Sequence, residues 1–216
     1  MNNEENTNCF VINGMRRSGL HCIVNDIIVH YNFQNKIKLI FRNNIKLREY
    51  FYLPKKNSVF LFEDQLNVLQ TNINTQFNII IIRDIYDNLT SRIKKNANWA
   101  RVDKSYLETM KNILKEVLNI TNNIPDKIII NYNLYISSND YRISILRRFG
   151  ISDIKPFSKK IPDFGGGKTF KEHEKREDVI INRRIYNIIK NDLEFLKLVK
   201  KYYNYDLIQK LDKHIH

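Results

Sequence analysis

An octapeptide close to the N-terminus carries the residue types of a phosphate cradle. It runs from Gly14 to His21 as Gly-Met-Arg-Arg-Ser-Gly-Leu-His, and it follows the short apolar run 9–13. Apolar residues then recur at helical spacing from Ile23 to Tyr31, which predicts a strand, a glycine-containing loop and a helix. In such a unit, backbone N–H groups and the helix N-terminus converge on a bound phosphate. The octapeptide therefore predicts an anion site.

The loop departs from the nucleoside triphosphate pattern in an informative way. Gly14 and Gly19 bracket four residues, which is P-loop spacing, but that motif continues with Lys for the terminal phosphates and Ser or Thr for magnesium. Leu20 and His21 stand at those two positions. A kinase or NTPase site would be badly impaired by this change. Because the positive charge lies on two arginines inside the loop, we expect a site that grips phosphate through arginine without a metal.

A second candidate site follows the strongest strand signal, Phe77 to Ile82. Arg83 comes directly after it, and Ser91 lies eight residues later in a predicted helix, Asp84 to Lys95. Open parallel sheets bind ligands at the carboxyl ends of their strands, so Arg83 and the Ser91 hydroxyl are expected to form an anion clamp. The alternative is a surface Arg–Asp pair with an exposed helix serine.

The two motifs together resemble those of sulfotransferases that use 3′-phosphoadenosine 5′-phosphosulfate (PAPS). The octapeptide is similar to the family's 5′-phosphosulfate loop, and Arg83 to Ser91 is similar to its 3′-phosphate motif. The segment 130–151 resembles the family's later strand and helix, and 165–170 resembles the glycine-containing loop that closes over the cofactor. Most family members have Lys where Arg17 stands, and Thr or Ser in place of Leu20 and His21.

The resemblance implies a PAPS site that needs no metal and releases adenosine 3′,5′-bisphosphate. The cofactor-binding residues it implies are Gly14, Arg16, Arg17, Ser18, Gly19, Leu20, His21, Arg83, Ser91, Gly166, Gly167, Lys168 and Thr169. Arg17 would stabilise the bridging oxygen and the leaving 5′-phosphate, and His21 would supply an N–H in place of the usual hydroxyl. Both are candidate catalytic residues.

A general base must then take the proton from a hydroxyl or amine acceptor. The resemblance favours Glu63, at the end of the predicted strand 58–62, and Asp64 stands beside it. Because neighbours on a strand point to opposite faces, only one of these two carboxylates is expected to face the cleft. A strand-end carboxylate paired with a surface lysine is the alternative.

Strands and helices alternate along the chain. Further strands are predicted at 36–41 and 127–130, and further helices at 104–121, 138–149 and 179–203, with Gly150 as a C-cap. This alternation predicts an α/β protein, a three-layer α/β/α P-loop fold with a mostly parallel central sheet. We expect one domain over 1–216, with 1–8 disordered and 157–172 forming a mobile loop over the cofactor.

Composition narrows the classes of partner and compartment. The chain has 36 Lys and Arg against 23 Asp and Glu, a formal charge of +13, which favours polyanionic ligands and is compatible with an anionic acceptor. Cys9 and Cys22 are not spaced as metal ligands, and we expect both to be small buried side chains of the core. The sequence shows no signal peptide and no apolar run of about 20 residues that could span a bilayer. We therefore expect a soluble protein, cytoplasmic or otherwise intracellular.

Two other functions stay open at this stage. One is a small-molecule or nucleoside kinase using ATP and magnesium, which the residues after Gly19 disfavour. The other is a non-catalytic module that binds a nucleotide or a nucleic acid through its basic surface. No aromatic-basic RNA signature or recognition-helix pattern supports the nucleic-acid version.

Overall fold

A computed structural model describes residues 8–30, 38–41, 58–66, 75–95, 101–157 and 187–203. Within these ranges five strands form one sheet: β1 (Asn8–Gly14), β2 (Lys38–Phe41), β3 (Ser58–Glu63), β4 (Thr75–Ile82) and β5 (Ile128–Asn131). Their order is β2-β3-β1-β4-β5, and every neighbouring pair is parallel. The helices are α1 (Leu20–His30), α2 (Ile85–Lys95), α3 (Lys104–Val117), α4 (Tyr132–Ser137), α5 (Asn139–Arg148) and α6 (Leu193–Tyr203).

The sheet is buried on both faces, as the apolar run of β4 predicts. Ile79 and Ile81 pack in one core with residues of α1, α4 and α5. Ile80 and Ile82 pack in a second core with residues of α2, α3 and α6. Successive strand residues point to opposite faces, so one continuous isoleucine run serves both cores. The predicted three-layer α/β/α architecture is confirmed, and the described sheet is parallel throughout.

Two helix ends differ from the pattern-based expectation. The helix predicted over 179–203 is interrupted at 190–192 in its described part. There the Asp192 carboxylate accepts a hydrogen bond from the backbone N–H of Phe195 at 3.0 Å, an N-cap that starts α6. The helix predicted to reach Thr121 ends at Val117, because Asn119 takes the left-handed conformation, with φ 52°, and the backbone N–H of Ile120 returns to the carbonyl of Lys115 at 2.8 Å.

The predicted C-cap at Gly150 agrees with the structure. Gly150 follows α5 with φ 78°, the left-handed conformation of a helix C-cap. Asn8 belongs to β1, where it pairs with Thr75, and residues 1–7 lie outside the described ranges. None of the helices in those ranges is both long and apolar enough to cross a membrane.

The topology puts β1 in the middle of the sheet. The chain runs from β1 to β2 and β3 on one side and then crosses to β4 and β5 on the other. Such a reversal opens a crevice at the carboxyl ends of the central strands, where open α/β sheets bind their ligands. The loop after β1 and the residues after β3 and β4 therefore meet at one edge.

Candidate anion-binding site

The loop between β1 and α1 is tightly folded. The backbone N–H of Ser18 donates to the carbonyl of Met15 at 3.0 Å, and two residues lie in the left-handed region, Arg17 with φ 71° and Gly19 with φ 84°. A Cβ on Gly14 would lie 2.7 Å from a backbone oxygen of β4, and one on Gly19 would meet the ring of Tyr132. Close packing therefore requires both glycines, and at Gly19 the backbone shape requires glycine as well.

One side of the loop faces the end of β3; we call its residues, Arg16, His21, Glu63 and Asp64, the carboxylate side. Arg16 Nε donates to Glu63 Oε2 at 3.1 Å and lies 3.7 Å from Asp64 Oδ2. His21 Nε2 lies 2.8 Å from Glu63 Oε1. Burial alone would raise the pKa of Glu63, but the hydrogen bond and charge of His21, with those of Arg16, outweigh it and hold that pKa below its ordinary value.

Both carboxylates contact the loop, although the alternation of strand residues led us to expect only one of them to face the cleft. Asp64 Oδ1 accepts a hydrogen bond from the backbone N–H of Arg16 at 2.9 Å, and it also takes Arg92 Nη1 at 2.9 Å. The strand alternation stops at Glu63, and Asp64 adopts φ 56°, which turns its side chain back toward the loop. The adjacent carboxylates thus differ in their partners. Asp64 binds the backbone N–H of Arg16 and the Arg92 side chain, whereas Glu63 binds the side chains of Arg16 and His21.

The other side of the loop faces α2; we call Arg17, Arg83 and Ser91 the cationic side. Arg17 Nε donates to Ser91 Oγ at 3.0 Å, and Arg83 Nη1 donates to the carbonyl of Arg17 at 3.1 Å. Burial lowers the pKa of Arg17, and the positive charges of Arg83 and Arg92 lower it further. The guanidinium groups of Arg17, Arg83 and Arg92 thus lie near enough to affect one another, and a bound anion would stabilise them.

The structure brings both predicted clamp residues to the loop. Ser91 is fully buried rather than exposed, which contradicts the surface-serine alternative. The Arg–Asp pair of that alternative is present in part, since Arg83 Nη2 lies 3.6 Å from Asp87 Oδ2. The Ser18 hydroxyl is buried within the loop, and its oxygen has no hydrogen-bond partner among residues in the described ranges.

Three other sequence-predicted features have mixed outcomes. The Leu20 side chain packs in the core beside β1 and β4, so only its backbone can reach a ligand. The residues Gly166, Gly167, Lys168 and Thr169 lie outside the described ranges. Cys9 is buried and Cys22 half-buried. Burial raises the pKa of Cys9 to about 12 and that of Cys22 to about 11, so both thiols stay protonated.

Sequence reasoning missed Asn88, which is buried on α2. Its Nδ2 donates to the carbonyl of Arg16 at 3.1 Å, and its Oδ1 accepts from the Tyr106 hydroxyl at 2.6 Å. Asn88, Ser91 and Arg92 recur at helical spacing and are all buried. In the sequence these three residues do not differ from the other polar residues of α2, so only their burial in the structure identifies them.

Tyr132 at the start of α4 was also missed. Its ring lies against Gly19, and the Arg83 guanidinium carbon lies 5.4 Å from the ring centroid. Over the described part of the chain, no group of three or more His, Cys, Asp or Glu side chains is placed to hold a metal ion.

Comparison with known proteins finds no family match. No model of a known protein family and no curated protein matches the sequence. Among solved structures, the mouse sulfotransferase SULT7A1 complexed with PAP is similar, with 12% identity and a TM-score of 0.36 over 92% of this chain and 89% of that chain. Likeness at that level does not establish a common family.

Proposed function

We propose that the protein is a sulfotransferase that moves a sulfuryl group from PAPS to a hydroxyl or amine acceptor. The observation that carries the proposal is the convergence of Arg17, Arg83 and Ser91 beside the N-terminus of α1. Arginine side chains beside a helix N-terminus suit a ligand with two separated phosphate groups. The order of the two motifs along the chain supports the same ligand.

The loop and α2 would divide the cofactor between them. The buried hydroxyl of Ser18, the N-terminal amides of α1 and the guanidinium of Arg17 suit the 5′-phosphosulfate. Arg83 and Ser91 suit the 3′-phosphate, because the Ser91 oxygen accepts from Arg17 and its own hydrogen can still be donated. His21 and the loop 165–170 complete the proposed contacts.

The residues fit an in-line displacement at sulfur. The acceptor oxygen or nitrogen forms a bond to sulfur while the bond from sulfur to the 5′-phosphate oxygen breaks, and the electron pair stays on that oxygen. Arg17 lowers the cost of this charge. The acceptor proton passes to Glu63, the carboxylate whose oxygens are already held by His21 and Arg16.

Both carboxylates are hydrogen-bonded, Glu63 to two side chains, but Asp64 suits the role of base less well. Both its oxygens bind Arg92, at 2.9 and 3.1 Å, and Oδ1 also accepts the backbone N–H of Arg16. Protonating this carboxylate would weaken the packing of the loop against α2. We therefore assign the proton to Glu63.

The formal charge of +13 favours an anionic acceptor, such as a carbohydrate or an acidic peptide.

One calorimetric titration separates this proposal from its alternatives. We expect adenosine 3′,5′-bisphosphate to bind in the presence of EDTA, with Mg²⁺-ATP and a single-stranded oligonucleotide as parallel ligands. Binding of ATP only with magnesium would replace the proposal by the kinase function. Salt-sensitive binding of the oligonucleotide alone would replace it by a nucleic-acid-binding function.

A further inference from the structure

We infer that Asn88 is a positioning residue that holds the loop backbone in the shape directing Arg17 toward Ser91. The inference rests on the proposed function for the identity of the ligand, but the contacts that carry it are within the protein. Asn88 is the fourth residue of α2 and is 1% exposed. No part of the proposed chemistry requires it to touch the cofactor.

The loop needs such support because of the conformation of Arg17. Its φ of 71° lies in the left-handed region, which a residue with a Cβ enters at an energetic cost. Strained residues of this kind persist where the surrounding structure holds them, and they occur often at ligand-binding sites. The strain also serves the site, since Arg17 contacts α2 while the preceding Arg16 contacts β3.

Three side chains grip the backbone on either side of Arg17. Asn88 Nδ2 donates to the carbonyl of Arg16 at 3.1 Å, and Asp64 accepts the N–H of Arg16 at 2.9 Å. Arg83 donates to the carbonyl of Arg17 at 3.1 Å. Asp64 and Arg83 also carry charge, so replacing either would alter the electrostatics of the site. Asn88 is neutral, which isolates positioning from charge.

The orientation of the Asn88 amide is set from α3. The Tyr106 hydroxyl donates to Asn88 Oδ1 at 2.6 Å, which leaves the amide NH₂ facing the loop. Burial raises the pKa of Tyr106 far above its ordinary value, so the hydroxyl remains a donor. The Arg92 guanidinium carbon, 4.3 Å from the ring centroid, fixes the ring. The brace thus runs from Tyr106 through Asn88 to the Arg16 carbonyl.

The chain offers a matched control in Asn78. It is also buried, at 7% exposure, and its Nδ2 donates to the carbonyl of Pro125 at 3.0 Å while its Oδ1 accepts from Gln76. It lies in β4 four residues before the carboxyl end of the strand, away from the loop. Replacing Asn78 or Asn88 by Ala removes a comparable pair of hydrogen bonds at two different places.

The test compares Asn88→Ala with Asn78→Ala in the full chain. Three quantities are measured: the Kd for adenosine 3′,5′-bisphosphate in EDTA, the thermal midpoint, and amide hydrogen exchange of the segment 14–19. We expect both variants to lower the midpoint similarly. Only Asn88→Ala should weaken binding, by about tenfold, because it removes one hydrogen bond that holds the loop in its binding conformation. Only that variant should speed exchange in the loop.

Each outcome decides the inference. If Asn88→Ala binds the bisphosphate like the wild type, the residue is structural only and the inference is overturned. If the wild type itself does not bind the bisphosphate, the proposed function fails, and loop exchange alone decides the brace: unchanged exchange in Asn88→Ala overturns it. Should that variant not fold, Tyr106→Phe, which removes only a hydroxyl, is read by the same measurements.

Discussion

Arg16 and Arg17 are neighbours in sequence and yet stand in opposite electrostatic surroundings. Arg16 lies within 3.7 Å of two carboxylates, so its charge is largely compensated. Arg17 contacts the Ser91 hydroxyl. Its pKa is lowered mainly by burial and further by the positive charges of Arg83 and Arg92. The left-handed turn at Arg17 is what separates them. A pair of adjacent cations can therefore serve two purposes: one ties the loop to the sheet, and the other joins a cluster of cations that suits an anion.

Under the proposed function, the carboxylate side would supply the proton acceptor and the cationic side the main phosphate contacts. The sharpest way to break this division is Glu63→Gln, which keeps shape and removes the proton acceptor. We expect transfer from PAPS to a panel of phenols and amines to fall by about 10³-fold, within the usual worth of a general base. The Kd for the bisphosphate should change by only a few-fold. An undiminished transfer rate would remove Glu63 from the mechanism.

The second largest effect should come from the cationic side. We expect Arg17→Met to weaken binding of the bisphosphate by about 30-fold to 100-fold, since a charged hydrogen bond contributes about 1.5–3 kcal/mol. Arg16→Met is the matched variant and should cost less than about fivefold, because its charge is already compensated. Calorimetry in EDTA measures both. Equal losses, or a larger loss for Arg16→Met, would show that the two sides do not differ.

A smaller effect is expected from the hydroxyl of the clamp. Ser91→Ala removes the acceptor for Arg17 and a donor for the proposed 3′-phosphate. Because a hydrogen bond to a charged group contributes about 1.5 kcal/mol at the low end of its range, binding should weaken by about tenfold. Adenosine 5′-monophosphate, which lacks the 3′-phosphate, serves as the control ligand and should lose less. Equal losses for both ligands would place the 3′-phosphate away from Ser91.

The smallest effect concerns stability and pH. Since the pKa of Glu63 is depressed in the folded protein, its ionised form stabilises the fold above the unfolded-state pKa of about 4.3. This contribution is lost as the pH falls through the lower, folded-state value. Urea unfolding should therefore find the wild type more stable than Glu63→Gln at pH 7, with the gap closing below about pH 4. A gap that widens on acidification would contradict the assigned pairing with His21 and Arg16.

The fold and the placement of the two motifs at one edge of the sheet could be predicted, because both depend on local sequence signals. The isoleucine run of β4 has no helical period, and the glycines bracket a loop between an apolar strand and an amphipathic helix. Once the strands are parallel, their carboxyl ends must share one edge. Arg83 and Ser91 reached the loop for that reason, although their separation from it in sequence exceeds sixty residues.

What could not be predicted depends on single backbone turns and on side-chain choices. The alternation rule gave Glu63 and Asp64 opposite faces, and it failed because the strand ends between them and Asp64 takes a positive φ. The break before α6 depends on Asp192 capping a helix inside an otherwise regular apolar pattern. Asn88 reads as an ordinary polar helix residue until its buried partners, Tyr106 and the Arg16 carbonyl, are known.

The most direct test of the division between the two sides is a crystal structure with adenosine 3′,5′-bisphosphate bound. We predict that the 5′-phosphate lies on the amides of the loop 14–19 and contacts the Arg17 guanidinium, with the 3′-phosphate within hydrogen-bond distance of Arg83 and Ser91. Arg16 should keep its contact with Glu63. A phosphate that displaces Glu63 and binds Arg16 instead, or a nucleotide bound away from the loop, would contradict the account.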